Sequence, residues 1–224
     1  MVMNDSAPPK LWLGSKVEGP VRGVVLVLHG GKVNSFARSR PWHLSAVRMW
    51  QFTWSLRRAG RSRGIVVGQL QYRFRGWNGV ERSPVRDARW ALIRLHREYP
   101  GVHVVVVGHS MGGRTASAVA DDPLVSGVVA LAPWWPDGGE LNSVRPDQIV
   151  RVAHGASDTW TDSEKSRAEV DRAAARGLDA LFFTMRGGHF MIRRPRSWIR
   201  QTTNFVLEAA DRIPSDAIEC LRDA

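Results

Sequence analysis

The sequence predicts a single α/β domain: a mostly parallel central sheet with helices on both faces. Three observations carry this prediction. Val24–Leu28, Val104–Val107 and Val128–Leu131 are uninterrupted apolar runs, the pattern of strands buried on both faces rather than on one. Helical stretches of roughly ten to sixteen residues separate such runs, the alternation that parallel crossovers need. With 224 residues, 43% of them hydrophobic, the chain can bury one sizeable core and is short for two.

Each element has its own signal. Lys10 to Val17 reads as an edge strand, and Val24–Leu28 as a buried strand ending at His29-Gly30-Gly31. Leu44 to Ala59 reads as a helix, with Trp50, Trp54 and Arg57-Arg58 at helical spacing and Gly60 as its stop. A strand starts at Ile65 and runs toward Tyr72. Val85 to Tyr99 places Ala88, Ala91, Leu92 and Leu95 on one helical face, and Pro100-Gly101 ends it. Val104–Val107 is the next strand, followed by a glycine-rich turn and a helix. Val128–Leu131 and Ile149–His154 are strands, Ser163–Arg176 a helix, Leu181–Phe183 the last strand and Trp198–Ala210 the closing helix. The core is expected over about 10–211, with a loosely attached tail at 212–224.

Composition narrows the function. No apolar run reaches the roughly 18 to 20 residues that span a membrane, and the first residues lack the basic and apolar regions of a secretory signal. The lone Cys220 cannot form an internal disulfide. The expectation is a cytoplasmic protein. No Cys/His group has zinc spacing and no acidic run has the form of a calcium loop, so neither metal nor cofactor is expected. The formal charge is +11, and all but Lys10, Lys16, Lys32 and Lys165 of the 32 basic residues are arginines. Such a balance can mark nucleic-acid or anionic-surface binding. Here the basic residues are spread over many segments without a nucleic-acid motif, so no nucleic-acid partner is expected.

The chemistry centres on Gly108-His109-Ser110-Met111-Gly112-Gly113. A strand precedes it and a helix follows, the context in which a sharp turn exposes a serine hydroxyl. Small residues two before and two after the serine keep that turn free of clashes. Serine is a poor nucleophile without a base, an acid to orient the base, and donors for the oxyanion. In an open parallel sheet such groups gather at the carboxyl ends of the strands. His189 is the base expected there, since it alone among the seven histidines sits in a glycine-flanked turn directly after the last strand. His29, His109 and His154 lie beside turn glycines and are expected to brace loops. Asp158 is the expected acid, with Asp162 and Asp137 as alternatives; Asp162 opens a helix, where an N-cap role also explains it. Met111 and Gly31 are the expected oxyanion donors, with Lys32 next after Gly31.

These pieces, with His154-Gly155 and Gly188-His189, resemble the α/β-hydrolase fold family over nearly the whole chain, and in particular its small esterases and dienelactone-hydrolase-like branch. The resemblance implies about eight strands and a Ser-His-Asp triad. It differs from true dienelactone hydrolases, which carry cysteine at the nucleophile, and so implies hydrolysis of ordinary small-molecule acyl esters, with a thioesterase or a non-catalytic binder on the same fold as alternatives. Sixteen residues separate Ala132 from Ile149, too few for a helical cap. The site is expected to be shallow and walled by Asn34–Trp42, the turn at Tyr72–Gly79, Lys32 and the pair Trp134-Trp135. The tryptophan pair fits either a substrate pocket or the sheet edge. Arg38, Arg40, Arg193 and Arg194 begin on the same rim and fit either a basic entrance or a solvated surface.

Overall fold

The computed structural model describes residues 8–14 and 16–212. The expected tail beyond residue 212, with Cys220, lies outside them. The sheet has seven strands in the order β1-β3-β2-β4-β5-β6-β7: β1 (Lys10–Leu13), β2 (Gly23–Leu28), β3 (Ile65–Gln71), β4 (Val104–His109), β5 (Val125–Leu131), β6 (Ile149–Gly155) and β7 (Asp179–Met185). Only β1 runs antiparallel, against β3; every other pairing is parallel. Seven strands replace the eight or so that the resemblance implies, because a single short strand precedes β2 among the described residues. That strand stops at Leu13, where the Gly14 N–H turns to the Val67 carbonyl at 2.9 Å.

Among the described residues five α-helices cover the sheet: α1 (Leu44–Gly60), α2 (Ser83–Glu98), α3 (Met111–Ala118), α4 (Ser163–Ala175) and α5 (Pro195–Asp211). The apolar runs are continuous because alternate residues enter different cores. Val24, Leu26 and Leu28 join Ala88, Leu92, Ala116 and Val170 on the face of α2, α3 and α4. Val25 and Val27 join Met49, Phe52, Trp198 and Phe205 on the face of α1 and α5. Each buried side chain of this size contributes about 1.5–3 kcal/mol. On α1 the core face is Ala46, Met49, Phe52 and Leu56. Trp54 points outward and is exposed, so the tryptophan spacing marks the opposite side of that helix. Asp162 caps α4, accepting the N–H groups of Glu164 and Lys165 at 2.9 and 3.0 Å, a contribution of about 1 kcal/mol.

With six strands parallel, their carboxyl ends share one edge of the sheet. The turns after β2, β3, β4, β5, β6 and β7 therefore meet there. The segment between β5 and β6, residues 132–148, contains neither helix nor strand, and among the described residues no cap domain covers the edge.

Candidate active site

Ser110 stands between β4 and α3 with φ 56° and ψ −117°, a backbone conformation that a side chain adopts only under constraint. Neighbouring glycines make it possible. A Cβ on Gly108 would lie 2.1 Å from the Gly112 carbonyl oxygen, and one on Gly112 would lie 2.4 Å from the Leu28 carbonyl oxygen. The turn is then held by its backbone. The Ser110 N–H donates to Leu131 O at 3.0 Å, and the Ser110 carbonyl receives the N–H groups of Gly113 at 3.0 Å and Trp134 at 3.0 Å.

His189 follows β7 and faces this turn. Its Nε2 lies 3.0 Å from Ser110 Oγ, and its Nδ1 lies 2.9 Å from Asp158 Oδ2. The Asp158 side chain is fully buried and His189 nearly so. His109 Nε2 donates to the His189 carbonyl at 2.9 Å, fixing the loop that carries the ring. Trp160 stacks over His189 with ring centroids 6.2 Å apart.

Asp158 sits in a dense set of donors. Its Oδ1 accepts the N–H groups of Trp160 at 2.8 Å and Thr161 at 3.0 Å. Its Oδ2 accepts the Thr161 hydroxyl at 3.0 Å and lies 3.2 Å from His154 Nε2. Burial pushes the carboxyl pKa up. Hydrogen bonds from His154, His189 and the two N–H groups outweigh it and hold the group well below the usual carboxylate range. His154 and Thr161 are the members of this cluster that the sequence reading did not tie to the acid. The i, i+4 spacing of His154 and Asp158 across the strand end was the available signal.

The turn after β2 backs onto the serine. A Cβ on Gly30 would lie 3.3 Å from Ser110 Cβ, and one on Gly31 would lie 2.5 Å from Met111 Cε. Among the described residues, the N–H groups of Gly31 and Met111 donate to no other backbone group. Lys32 is different. Its N–H is committed to Arg75 O at 2.8 Å and its carbonyl to the Trp77 N–H at 2.9 Å. That removes it as an oxyanion donor, and its exposed side chain is not among the cleft-lining groups.

A cleft of about 690 Å³ is lined in part by Asn34, Trp77, Gly79, Arg114 and Trp134. It meets the serine turn through Arg114 and Trp134, whose N–H groups bond the Ser110 carbonyl, while Ser110, Met111 and His189 lie outside its lining. The Arg114 guanidinium lies 4.2 Å from the Trp77 ring centroid and 4.7 Å from that of Trp134, and it pairs with Asp137. Asp137 is therefore taken by Arg114, and Asp162 by its helix. The tryptophan pair divides: Trp134 lines the cleft, whereas Trp135 is only 4% exposed and packs in the core. Trp135 is corrected from pocket residue to core residue. Ala132 has a positive φ, and the chain leaving β5 turns there so that successive tryptophans face different surroundings. Among the described residues, no group of three or more His, Cys, Asp or Glu is arranged to hold a metal.

A parallel sheet with a serine on a strained strand-to-helix turn, facing a histidine and a buried aspartate, defines the α/β serine-hydrolase class. The model of the alpha/beta hydrolase family matches residues 24–223, and the chain belongs to that family. The chain has no significant match among curated proteins. Similar solved structures include a lidless α/β serine hydrolase from Xanthomonas campestris, with 16% identity over 89% of this chain and 88% of that one and a TM-score of 0.61. A thermophilic esterase from Thermogutta terrifontis, solved with propionate bound, shares 15% identity over 92% and 89% of the two chains with a TM-score of 0.67. The esterase Pf2001 from Pyrococcus furiosus shares 16% over 84% and 81% with a TM-score of 0.65. At these identities the likeness is one of fold.

Proposed function

We propose that this chain is a serine carboxylic-ester hydrolase that works through an acyl-enzyme. The observation that carries the reading is the continuous line from Ser110 Oγ to His189 Nε2 at 3.0 Å and from His189 Nδ1 to Asp158 Oδ2 at 2.9 Å. In this reading Ser110 Oγ attacks the ester carbonyl while His189 Nε2 takes its proton, and Asp158 holds the ring in the tautomer that leaves Nε2 as acceptor. The N–H groups of Gly31 and Met111 receive the developing oxyanion. His189 returns the proton to the departing alcohol. A water then repeats the attack on the acyl-serine with His189 again as base.

The cleft beside the serine turn is assigned to the acyl portion, with Trp134 as its apolar wall and Arg114 at its polar end. The propionate-bound esterase from Thermogutta terrifontis and the open edge without a cap favour a small or short-to-medium acyl group. The reading treats the chain as one domain that needs no cofactor.

The test is hydrolysis of chromogenic short-chain esters together with labelling by a fluorophosphonate probe. Wild type is expected to hydrolyse the esters and to carry the label on Ser110, and Ser110→Ala to lose turnover by on the order of 10³-fold or more. A labelled protein that turns over thioesters in preference to esters would move the assignment to the thioesterase. Absence of any adduct on Ser110 would leave a binding protein on the hydrolase fold.

A further inference from the structure

The edge that carries Ser110 also carries most of the exposed large apolar side chains. Trp42, Leu44, Trp160 and Ile192 are 68%, 77%, 70% and 73% exposed, and Phe36 is exposed beside them in the turn after β2. All lie on the turns after β2, β6 and β7 or on the first turn of α1. Elsewhere Trp12, Trp54, Ile93 and Leu181 are exposed singly, on four separate elements.

These anchors alternate with cations. Trp160 packs against Phe190 at 5.1 Å between ring centroids. Phe190 carries the Arg48 guanidinium at 4.7 Å, and Arg48 lies one helical turn beyond Leu44 on α1. Arg40 covers the Trp42 ring at 5.6 Å. Phe36 meets Phe74 at 5.6 Å, and Phe74 bridges to Arg38 through the backbone. Among the described residues, Arg38, Arg40, Arg48, Arg193 and Arg194 make no ion pair. The sequence explains why: no Asp or Glu occurs between Glu18 and Glu81, or between Asp179 and Glu208. Of the acids near this edge, Glu81 pairs with Arg86, Asp137 with Arg114, and Asp162 caps α4. Glu164, beside Trp160 in the first turn of α4, makes no ion pair among the described residues and lies outside residues 36–48 and 190–194.

Exposed aromatic and aliphatic side chains interleaved with unneutralised arginines match one chemical environment. The apolar groups enter the boundary between head groups and acyl chains, and the cations meet anionic head groups. Tryptophan is the side chain most at home at that depth. We propose that the part of the edge formed by residues 36–48 and 190–194 docks the protein on an anionic lipid surface, with the mouth of the Ser110 site turned toward the lipid. The docking stands on the surface alone. Only its consequence, that the ester substrate is drawn from that surface, rests on the hydrolase reading.

The experiment is flotation of the full chain with vesicles of phosphatidylcholine, with and without phosphatidylserine, at physiological salt. Binding is expected to require phosphatidylserine. Arg38→Glu with Arg40→Glu is expected to lower the partition constant by at least about tenfold, since each basic residue near such a surface is worth about fivefold. Trp42→Ser with Ile192→Ser is expected to lower it by about tenfold through lost apolar insertion. Arg58→Glu with Arg97→Glu makes the same change of net charge at the far ends of α1 and α2, and is expected to change it by about twofold or less, beyond a screening length from the lipid. Vesicle binding by Ser110→Ala equal to wild type separates docking from catalysis, whichever way the ester assays fall. The proposal is overturned if phosphatidylserine vesicles are not bound. It is equally overturned if the Arg58/Arg97 pair weakens binding as much as the edge pair, which is adsorption of a basic protein without a face. No effect of the apolar pair would also overturn it. So would light scattering that shows a dimer dissociated by Trp42→Ser, which gives the face to a second copy.

Discussion

His154 Nε2 lies 3.2 Å from Asp158 Oδ2, the same oxygen that meets His189 Nδ1 at 2.9 Å. One carboxylate oxygen thus serves two imidazoles. The hydrogen-bond pattern gives each ring a proton on the nitrogen that faces Asp158. For His189 this leaves Nε2 as acceptor toward Ser110. For His154 it leaves Nδ1, buried and without a partner among the described residues. His154 is fully buried, so its ring cannot swing away and the carboxylate cannot rotate toward it without losing His189. We assign His154 as a positioning residue that, with Thr161, fixes the direction in which Asp158 presents Oδ2.

The first prediction tests that assignment. A hydrogen bond to a charged acceptor is worth about 1.5–3 kcal/mol. His154→Ala is therefore expected to lower kcat/KM for a short-chain ester by about tenfold to a hundredfold, mostly in kcat. His154→Gln keeps a side-chain N–H donor and is expected to recover much of the loss. Steady-state kinetics on both variants, alongside denaturant midpoints, separate positioning from folding. Wild-type kcat/KM in a folded His154→Ala protein would refute the role.

Stability should fall with acid earlier than carboxylates alone would cause. Burial, followed by the nearby His189 ring and then Arg48, lowers the His109 pKa from 6.5 to about 3. Burial, opposed by the Gly30 carbonyl and aided by His43, lowers that of His29 from 6.5 to about 4. Above about pH 6.5 both rings are neutral in folded and unfolded chain alike, and full stability is present. Below it the unfolded chain takes up protons that the folded chain refuses, so stability declines down to the folded values. Asp158, held low by its donors, adds to the loss only below the ordinary carboxylate pKa. Urea midpoints measured from pH 8 to pH 4 are expected to drop steadily from about pH 6.5. A flat profile down to about pH 5 would contradict the burial of these histidines as neutral groups.

Much of this arrangement was legible in the chain, for physical reasons. Val24–Leu28 and Val104–Val107 had to be buried on both faces, and that requires helices on both sides. The glycines at 108 and 112 announced the turn at Ser110 because only their lack of a Cβ lets its backbone close. Two features stayed hidden. Periodicity reports which helical positions repeat, not which side is inward, so the spacing of Trp50 and Trp54 marked the helix without showing that Met49 and Phe52 fill its core face and Trp54 is exposed. Adjacent residues leaving a strand can face opposite ways, so the sequence could not separate Trp134 from Trp135. The contact of His154 with Asp158 depends on a turn geometry that spacing suggests but does not impose.

The two tryptophans are expected to fail differently. Trp135→Ala empties a large core site and should destabilise the protein by about 3–5 kcal/mol, with little change in the relative rates on different esters. Trp134→Ala removes a cleft wall and a face of the Arg114 stack. It should change the ratio of kcat/KM between short and longer acyl chains by about tenfold at a smaller cost in stability. Denaturation curves and a chain-length series on the two variants give the comparison. An unchanged chain-length profile in Trp134→Ala would take the acyl group out of this cleft.

The serine turn itself offers the most stringent substitution. A methyl group at Gly108 would stand 2.1 Å from the Gly112 carbonyl oxygen and 2.6 Å from the Gly113 nitrogen. Both belong to backbone at the start of α3, which packs on the sheet face across β4 and β5 and cannot retreat as a flexible side chain would. Gly108→Ala must therefore push α3 away from the strand or flatten the turn, and either movement carries Ser110 Oγ away from His189. The expected cost is about 3 kcal/mol or more, with fluorophosphonate labelling of Ser110 slowed even in the fraction that remains folded. Gly138→Ala provides the contrast. Unlike Gly108 it has a positive φ, 78°, but the nearest atom to an added Cβ is the Arg172 guanidinium at 3.7 Å, so only backbone strain of about 1 kcal/mol is expected. If Gly108→Ala matched Gly138→Ala in stability and labelled at the wild-type rate, the close packing of α3 against β4 would not be what holds Ser110 in place.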